Sequence, residues 1–394
     1  MLTLKILFWA CLLIVFYTYL GYGILLYIII RLKRFLAGKP REAAMPDDEA
    51  LPTMTLMICA YNEEDVVAEK MANTLALDYP KDKLRIMWVT DGSNDNTNEL
   101  LSAYPEVDIV FSPERKGKTA ALKHGLRELK TRYVAFTDAN TMINKTALRE
   151  IARQFLDPTV GCVSGEKRVA ARQAGEMAAE GEGLYWRYES TLKRWDSELY
   201  SAMGAAGELY AIDPTLCQEV PDEALLDDFM MSMLIVDKGK RIAYTPDAYA
   251  QEYGSANIHE ESKRKRRIAA GGLQSIWWLR HMLNPFHHPL VAFQYISHRV
   301  LRWSLTPVAM VMLILTNIAL VLMGSGTLYT IILMLQALFY LMALAGWIMS
   351  LNGRKNKLLY TAYYFIFMNL NVFRGMAYLK SHHNSGAWEK AKRS

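Results

Sequence analysis

The sequence predicts an α/β domain inserted between membrane helices, and three observations carry that prediction. Apolar residues concentrate at the two ends, while the middle, roughly Arg31 to Arg302, has the composition of a soluble protein. Within that middle, short β-rich runs alternate with helix-like segments. Asp, Asn and Ser cluster where those runs end.

The first apolar block, Leu2 to Ile30, has Lys5 as its only charge. A helix of that length exceeds the ~20 residues needed to cross a bilayer. A cleaved signal peptide has a shorter apolar core and a small-residue cleavage site. Here the run ends in Arg31, Lys33, Arg34, Lys39 and Arg41, as a retained anchor does. By the positive-inside rule those charges put the next domain in the cytoplasm.

Three more apolar stretches lie at about 304–324, 328–350 and 358–379. The third contains Asn369, Asn371 and Arg374, so it reads either as a span lining a polar channel or as an interfacial segment. Four crossings leave the tail outside, whereas Lys390, Lys392 and Arg393 argue for a tail inside. The basic loop Arg354–Lys357 fits a cytoplasmic position after the two clean crossings. A multi-pass protein of the cell (inner or plasma) membrane is the expectation.

Ahead of these spans, Ser262–Leu283 sets basic residues before Ile276, Trp277, Trp278 and Leu279, and His281–Trp303 adds further aromatic and basic residues. Amphipathic helices lying among lipid headgroups have this composition. A soluble core helix is the alternative, and the density of Trp beside Arg favours the interface. The expected divisions are an anchor over 1–35, a catalytic domain over 50–255, interface helices over 256–303, membrane helices over 304–380 and a tail over 381–394.

The formal net charge of +5 is too modest to mark a nucleic-acid partner. The basic clusters Arg31–Arg41 and Lys263–Arg267 each adjoin an apolar run, which points to membrane lipids with anionic headgroups. Cys11, Cys59, Cys162 and Cys217 fit neither a zinc site nor a disulfide framework and read as buried thiols in a reducing compartment.

In the middle region the expected strands are Met54–Tyr61, Leu84–Thr90, Val107–Phe111, Tyr133–Thr137 and Val160–Ser164. Helices are expected at Glu63–Leu77, Thr97–Ala103, Lys118–Lys130 and Ala147–Leu156. Nearly continuous apolar strands with helices between them imply a parallel sheet covered on both faces. Ligands bind such sheets at the carboxyl ends of the strands. The first strand ends in Ala60-Tyr61-Asn62-Glu63, the second in Thr90-Asp91-Gly92-Ser93, the fourth in Asp138-Ala139-Asn140. Any one of these is an ordinary turn or helix cap. Three in successive strand–helix units bring carboxylates to one crevice.

Two other patterns fail on inspection. Gly117-Lys118-Thr119 imitates a phosphate-binding loop, but Ser112 stands where the motif needs glycine. The run Asp91-Gly92-Ser93-Asn94-Asp95 imitates a calcium loop, but Asn96 takes the glycine position and no Glu closes it. Downstream, Asp227-Asp228 stands among apolar residues at a helix start, and Arg264 to Arg267 precedes Ile268-Ala269-Ala270-Gly271-Gly272.

Taken in order, these motifs resemble the family 2 glycosyltransferases, and within them the membrane-integrated branch of cellulose, hyaluronan, chitin and poly-N-acetylglucosamine synthases. The resemblance covers nearly the whole chain and implies a GT-A catalytic domain flanked by interfacial and transmembrane helices. It matches Tyr61-Asn62-Glu63 to the nucleoside end of the donor site and Asp91 to a contact with the base, with Thr90 replacing the family's first Asp. Lys116-Gly117-Lys118 matches a segment bordering the nucleotide. The family's Asp-x-Asp matches Asp138-Ala139-Asn140, so Asp138 and the neutral Asn140 become the ligands expected for Mg2+ or Mn2+. Its Glu-Asp pair matches Asp227-Asp228, with Asp228 as catalytic base. Its Gln-x-x-Arg-Trp matches Arg264 to Ile268, which retains Arg267 but replaces the Gln by Arg264 and the Trp by Ile268.

The implied activity is inverting transfer of a sugar from a UDP-sugar to a lipid, lipid-linked carrier or glycan at the membrane. Three readings stay open: addition of single sugars, processive polysaccharide synthesis with export through the chain's own membrane helices, and a catalytically silent scaffold. Retention of Asp91, Asp138, Asp228 and Arg267 argues against the last.

Overall fold

The computed structural model describes residues 1–40, 43–170, 177–253, 258–351 and 356–381. The expectations for Arg41, Arg354 and the tail lysines and arginine fall outside those residues. The chain forms two compact units, one helical (Met1–Ile29, Gln173–Tyr185 and Ser255–His383) and one built on a sheet (Ile30–Arg172 and Trp186–Gly254).

The sheet has eight strands: β1 Met54–Ala60, β2 Leu84–Asp91, β3 Val107–Ser112, β4 Tyr133–Asp138, β5 Met142–Ile143, β6 Val160–Ala170, β7 Leu209–Ile212 and β8 Arg241–Tyr253. Their order is β3-β2-β1-β4-β7-β6-β8-β5. β3, β2, β1 and β4 are mutually parallel. Nearly every residue of β1 is buried, as its unbroken apolar run requires. The core around it includes Leu56, Ile58, Trp88, Ala135, Leu148 and Val163.

Beyond β4 the sheet is mixed rather than parallel, because β7 inserts antiparallel between β4 and β6. The sequence did not announce β7, which has only four residues. β8 pairs parallel with β6 across an irregular register, and Pro246 lies within it. The helices between the parallel strands are shorter than expected: Val67–Leu75, Thr97–Ser102, Lys118–Arg127 and Ala147–Gln154. Cys162 is fully buried, whereas Cys59 and Cys217 are only partly so.

Leu2–Ala37, of which the part up to Ile29 belongs to the helical unit, and Leu305–Leu322 and Thr327–Leu351 in that unit are long and apolar enough to cross a membrane. Phe8, Cys11, Ala309, Leu313, Leu320 and Tyr329 pack together within it. The last helix, Lys357–Ser381, carries more polar residues. Asn369 accepts a 2.7 Å hydrogen bond from the Tyr19 hydroxyl, and Asn371 accepts one of 3.1 Å from Ser262. These amides are therefore spent on packing between helices.

The helix Ile258–Trp278 comes unusually close to Lys357–Ser381 at Gly375, where a Cβ would lie 2.7 Å from the Ala270 nitrogen. Small residues permit such close approach between helices in lipid. Two basic clusters expected to meet headgroups are partly used inside the protein. Arg34 pairs with Glu198 at 2.6 Å, and Lys33 donates to the carbonyls of Glu198 and Leu199 at the end of the helix Met177–Leu199. Lys263 and Lys265 pair with Glu260 and Glu261.

Candidate active site

Strands β1, β2 and β4 end on one edge, with Cys59 opposite both Val89 and Asp138. Past β1 the chain turns at Asn62, whose φ of 52° falls in the region where Asn is the better-tolerated non-glycine residue. Asn62 and Asn94 tie the first two loops together: the Asn62 amide donates to Asn94 Oδ1 at 2.7 Å, and the Asn94 N–H donates to Asn62 Oδ1 at 3.0 Å. The Glu63 N–H donates to the Thr97 hydroxyl, which itself donates to Asp95. Burial pushes the Asp95 carboxyl up, but its bonds from Thr97 and Glu64 outweigh that and leave it lowered. The ring of Tyr61 lies 3.8 Å from the Arg115 guanidinium, a cation–π stack.

Asp91, at the end of β2, accepts hydrogen bonds from the N–H groups of Lys116 (2.9 Å) and Gly117 (2.7 Å). Its carboxylate thus fixes the loop that opens the helix Lys118–Arg127. Gly92 next to it has a φ of 69°, and a Cβ there would come within 2.6 Å of the Arg115 nitrogen. Only glycine fits that approach.

Lys118, the first residue of its helix, donates to Asp138 Oδ1 at 2.6 Å. Burial alone would lower the Lys118 ammonium, but the charges of Asp138, Asp227 and Asp228 prevail and hold it above the ordinary lysine range. Lys118 therefore contacts Asp138 and stands within the field of Asp227 and Asp228, the carboxylates expected at the site. Among the described residues no three His, Cys, Asp or Glu side chains gather as a ready metal cluster. Asp138 and Asn140 offer one carboxylate and one neutral amide oxygen, a set that suits Mg2+ or Mn2+ when diphosphate and water supply the other oxygens.

Asp227 and Asp228 occupy the first turn of the helix Asp227–Asp237, where the positive end of the helix dipole favours carboxylates. Asp228 Oδ1 accepts from the Phe229 N–H at 2.8 Å. The Asp228 carboxyl is raised to about 6, first by burial and then by the charge of Asp227, with Lys118 opposing. Its other oxygen faces Gly207, where a Cβ would lie only 2.8 Å away. The loop Gly204–Gly207 is pinned by Ala205 N–H to the Ser232 hydroxyl and Ala206 N–H to the Ser164 hydroxyl.

Arg264 and Arg267 lie on the helix Ile258–Trp278 of the helical unit. Sequence reasoning passed over Gly207, Glu208 and Lys70. Glu208 adds its charge to the neighbourhood of Asp228 and is bound by the buried Lys167 at 2.6 Å. Two glycines three residues apart before β7 were the available signal for that loop. For Lys70 it was a lysine on the inward stripe Val67, Met71, Thr74.

The family Glycosyl transferase family 2 matches residues 55–208, and Glycosyl transferase family group 2 matches 133–349, more than half of the chain. The chain is 29% identical over 232 residues to the poly-beta-1,6-N-acetyl-D-glucosamine synthase of Staphylococcus aureus (strain MSSA476), covering 57% of this chain and 55% of that protein. It is 26% identical over 215 residues to the probable glycosyltransferase YdaM of Bacillus subtilis (strain 168), covering 51% of each. The chain thus spans about half the length of the curated relatives it matches. Among solved structures it is similar to the mannosyltransferase PcManGT from Pyrobaculum calidifontis in complex with GDP-Man and Mn2+, with a TM-score of 0.70 and 24% identity over 95% of this chain and 98% of that one. That likeness shows the GT-A fold. With more than half its length matched, the chain belongs to the family 2 glycosyltransferases.

Proposed function

We propose that the chain transfers a sugar from a nucleotide-diphosphate donor, a UDP-sugar, to a hydroxyl of a membrane-proximal lipid, lipid-linked carrier or short glycan, with inversion at the sugar carbon. The observation that carries this reading is the convergence of Lys118 with Asp138, Asp227 and Asp228 where the strands end. In it, Asp228 takes the proton of the acceptor hydroxyl as the new C–O bond forms and the bond to the diphosphate breaks. A raised carboxyl near 6 suits a general base at neutral pH, because it is ionised yet basic. Asp227 tunes Asp228 by its charge. Lys118 neutralises the departing diphosphate, and the family resemblance assigns Arg264 to the donor and Arg267 to the leaving group. Tyr61 and Glu63 border the nucleoside, and Asp91 holds the Lys116–Gly117 loop against it.

Asp138 and Asn140 would hold Mg2+ or Mn2+ together with the donor diphosphate. When bound, the cation supplies Lewis-acid stabilisation of the leaving group. The neighbour solved with GDP-Man and Mn2+ supports a nucleotide-sugar donor and a divalent cation of this kind. The three apolar helices and the flanking basic residues support a multi-pass protein of the cell membrane with residues 50–255 as a cytoplasmic catalytic domain. Likeness to a poly-N-acetylglucosamine synthase favours a second reading, processive polymerisation and export.

The test is to incubate the purified protein, with membrane lipid extract as acceptor, with a panel of UDP-sugars and GDP-mannose. Release of nucleoside diphosphate coupled to labelled lipid or glycan is expected with a UDP-sugar. Release with GDP-mannose alone would correct the donor, and no release from any donor would remove the enzymatic reading of this site.

A further inference from the structure

Lys70 is fully buried, and its ammonium is assigned no part in the chemistry above. It lies on the helix Val67–Leu75, whose buried face is otherwise Val67, Met71 and Thr74. Taking an ammonium out of water costs several kcal/mol, and an apolar side chain of the same length would fill the space without that cost. The amine must therefore be understood through what it binds. It donates to Thr137 Oγ1 at 3.2 Å and to the Thr141 carbonyl at 2.5 Å.

Those two acceptors bracket Asp138-Ala139-Asn140. Inside the bracket, the Thr141 hydroxyl donates to the Asp138 carbonyl at 3.0 Å, closing the turn. The Thr137 hydroxyl in turn donates to the Glu208 carbonyl at 2.9 Å, one residue past the glycine that faces Asp228. One turn further along the same helix, Asn73 grips Ile143 by both backbone groups, at 2.8 and 3.0 Å. The helix therefore holds the segment after β4 at two points. Lys70 sits at the point beside the carboxylate. Burial lowers its ammonium to about 7, and the charge of Asp138 pulls it partly back.

We propose that Lys70 is a positioning residue: from the buried side it fixes the Asp138–Thr141 turn and, through Thr137, ties that turn to the Gly207–Glu208 segment that faces Asp228. The inference rests on the proposed function for its catalytic meaning, but its geometric claim stands apart. The ammonium sets where the Asp138 carboxylate and Asn140 amide point, and so how well they receive a cation and diphosphate. Because Asn73 keeps β5 in place, removing the amine releases the turn alone.

The experiment compares full-length wild-type protein with Lys70→Met and Thr137→Val, in detergent, by hydrogen exchange and by kinetics. Methionine keeps the length and apolar stem, and the lost bonds are offset by the charge no longer buried, so the unfolding midpoint should stay within a few degrees. Amides of residues 139–141 should exchange roughly tenfold faster in Lys70→Met, with β1, β2 and the Asn73-held Ile143 unchanged, as expected for losing a hydrogen bond from a charged donor. The Mn2+ concentration for half-maximal transfer should rise about tenfold by the same arithmetic, with KM for the donor within about twofold. Thr137→Val, which keeps the lysine and removes its side-chain acceptor, should reproduce the faster exchange. Wild-type exchange across the turn in both variants would overturn the proposal. So would a loss of transfer that merely follows the folded fraction. A wild type that turns over no donor would refute the proposed function and leave the exchange result to decide Lys70 by itself.

Discussion

Asp228 and Gly207 make one device at the level of single residues. The carboxylate needs both a raised affinity for protons and room to meet a hydroxyl, and Gly207 supplies the room by having no side chain. Asp228→Asn should reduce transfer by at least ~10² while nucleotide binding changes little, since a general base is worth ~10²–10⁴ in rate. In the wild type, kcat/KM should fall as pH drops through about 6, where Asp228 gains its proton. The charge of Asp227 contributes to that value, so Asp227→Asn should move the acid limb to lower pH. The stability effect has the opposite sense. The folded protein holds this proton more tightly than the unfolded chain, so its contribution to stability declines as pH rises from 3.8 to about 6. An acid limb unmoved by Asp227→Asn would assign the base to another group. Gly207→Ala should cut kcat by roughly 10² with little change in the unfolding midpoint, because a methyl group there forces the carboxylate from its place. Transfer at the wild-type rate in that variant would show that Asp228 has freedom the packing denies.

At the level of elements, the part of the site legible from sequence is the part carried by parallel strands. Long apolar runs ending in Asp, Asn or Ser announce β1, β2 and β4, and Asp91 and Asp138 stand where those strands stop. What lies beyond β4 was not legible. β7 is too short to show a period, and β5 has two residues, so neither leaves a pattern. Glu208 and Lys70 were missed for a related reason, since each matters through tertiary neighbours and not through its own segment. Asp91 has in addition a structural part that its position at a strand end did not reveal, since its carboxylate accepts from two backbone N–H groups. The turn after β4 carries its own prediction. With one carboxylate and Lys118 already beside it, the turn should bind Mg2+ or Mn2+ weakly unless the donor diphosphate is present. Transfer should therefore vanish in EDTA and return on adding Mn2+. Turnover that persists in excess EDTA would leave the leaving-group charge to cationic side chains, Lys118 first among them.

The properties of the whole molecule turn on whether it makes one bond per acceptor or many. A growing polymer must be held between additions, and stacking on an aromatic face is a common way to hold a sugar ring against water. The position matched to that ring in the polymer-forming branch is Ile268, half-buried on the helix Ile258–Trp278. Trp277, on the same helix and 67% exposed, lies nine residues on, or about two and a half turns, too far to stand in for it. The polar content of the last helix would suit a sugar channel, but Asn369 and Asn371 are buried and engaged with Tyr19 and Ser262. Their amides account for helix packing before any passage is invoked. Short products, one sugar on a lipid or carrier, are therefore expected. Mass analysis of products formed in membranes at limiting donor checks this, with Ile268→Trp as the companion variant. Single-addition products that lengthen in Ile268→Trp would locate the missing grip at this position. A ladder of long chains from the wild type, formed while most acceptor remains unused, would instead show that another part of the chain holds the polymer.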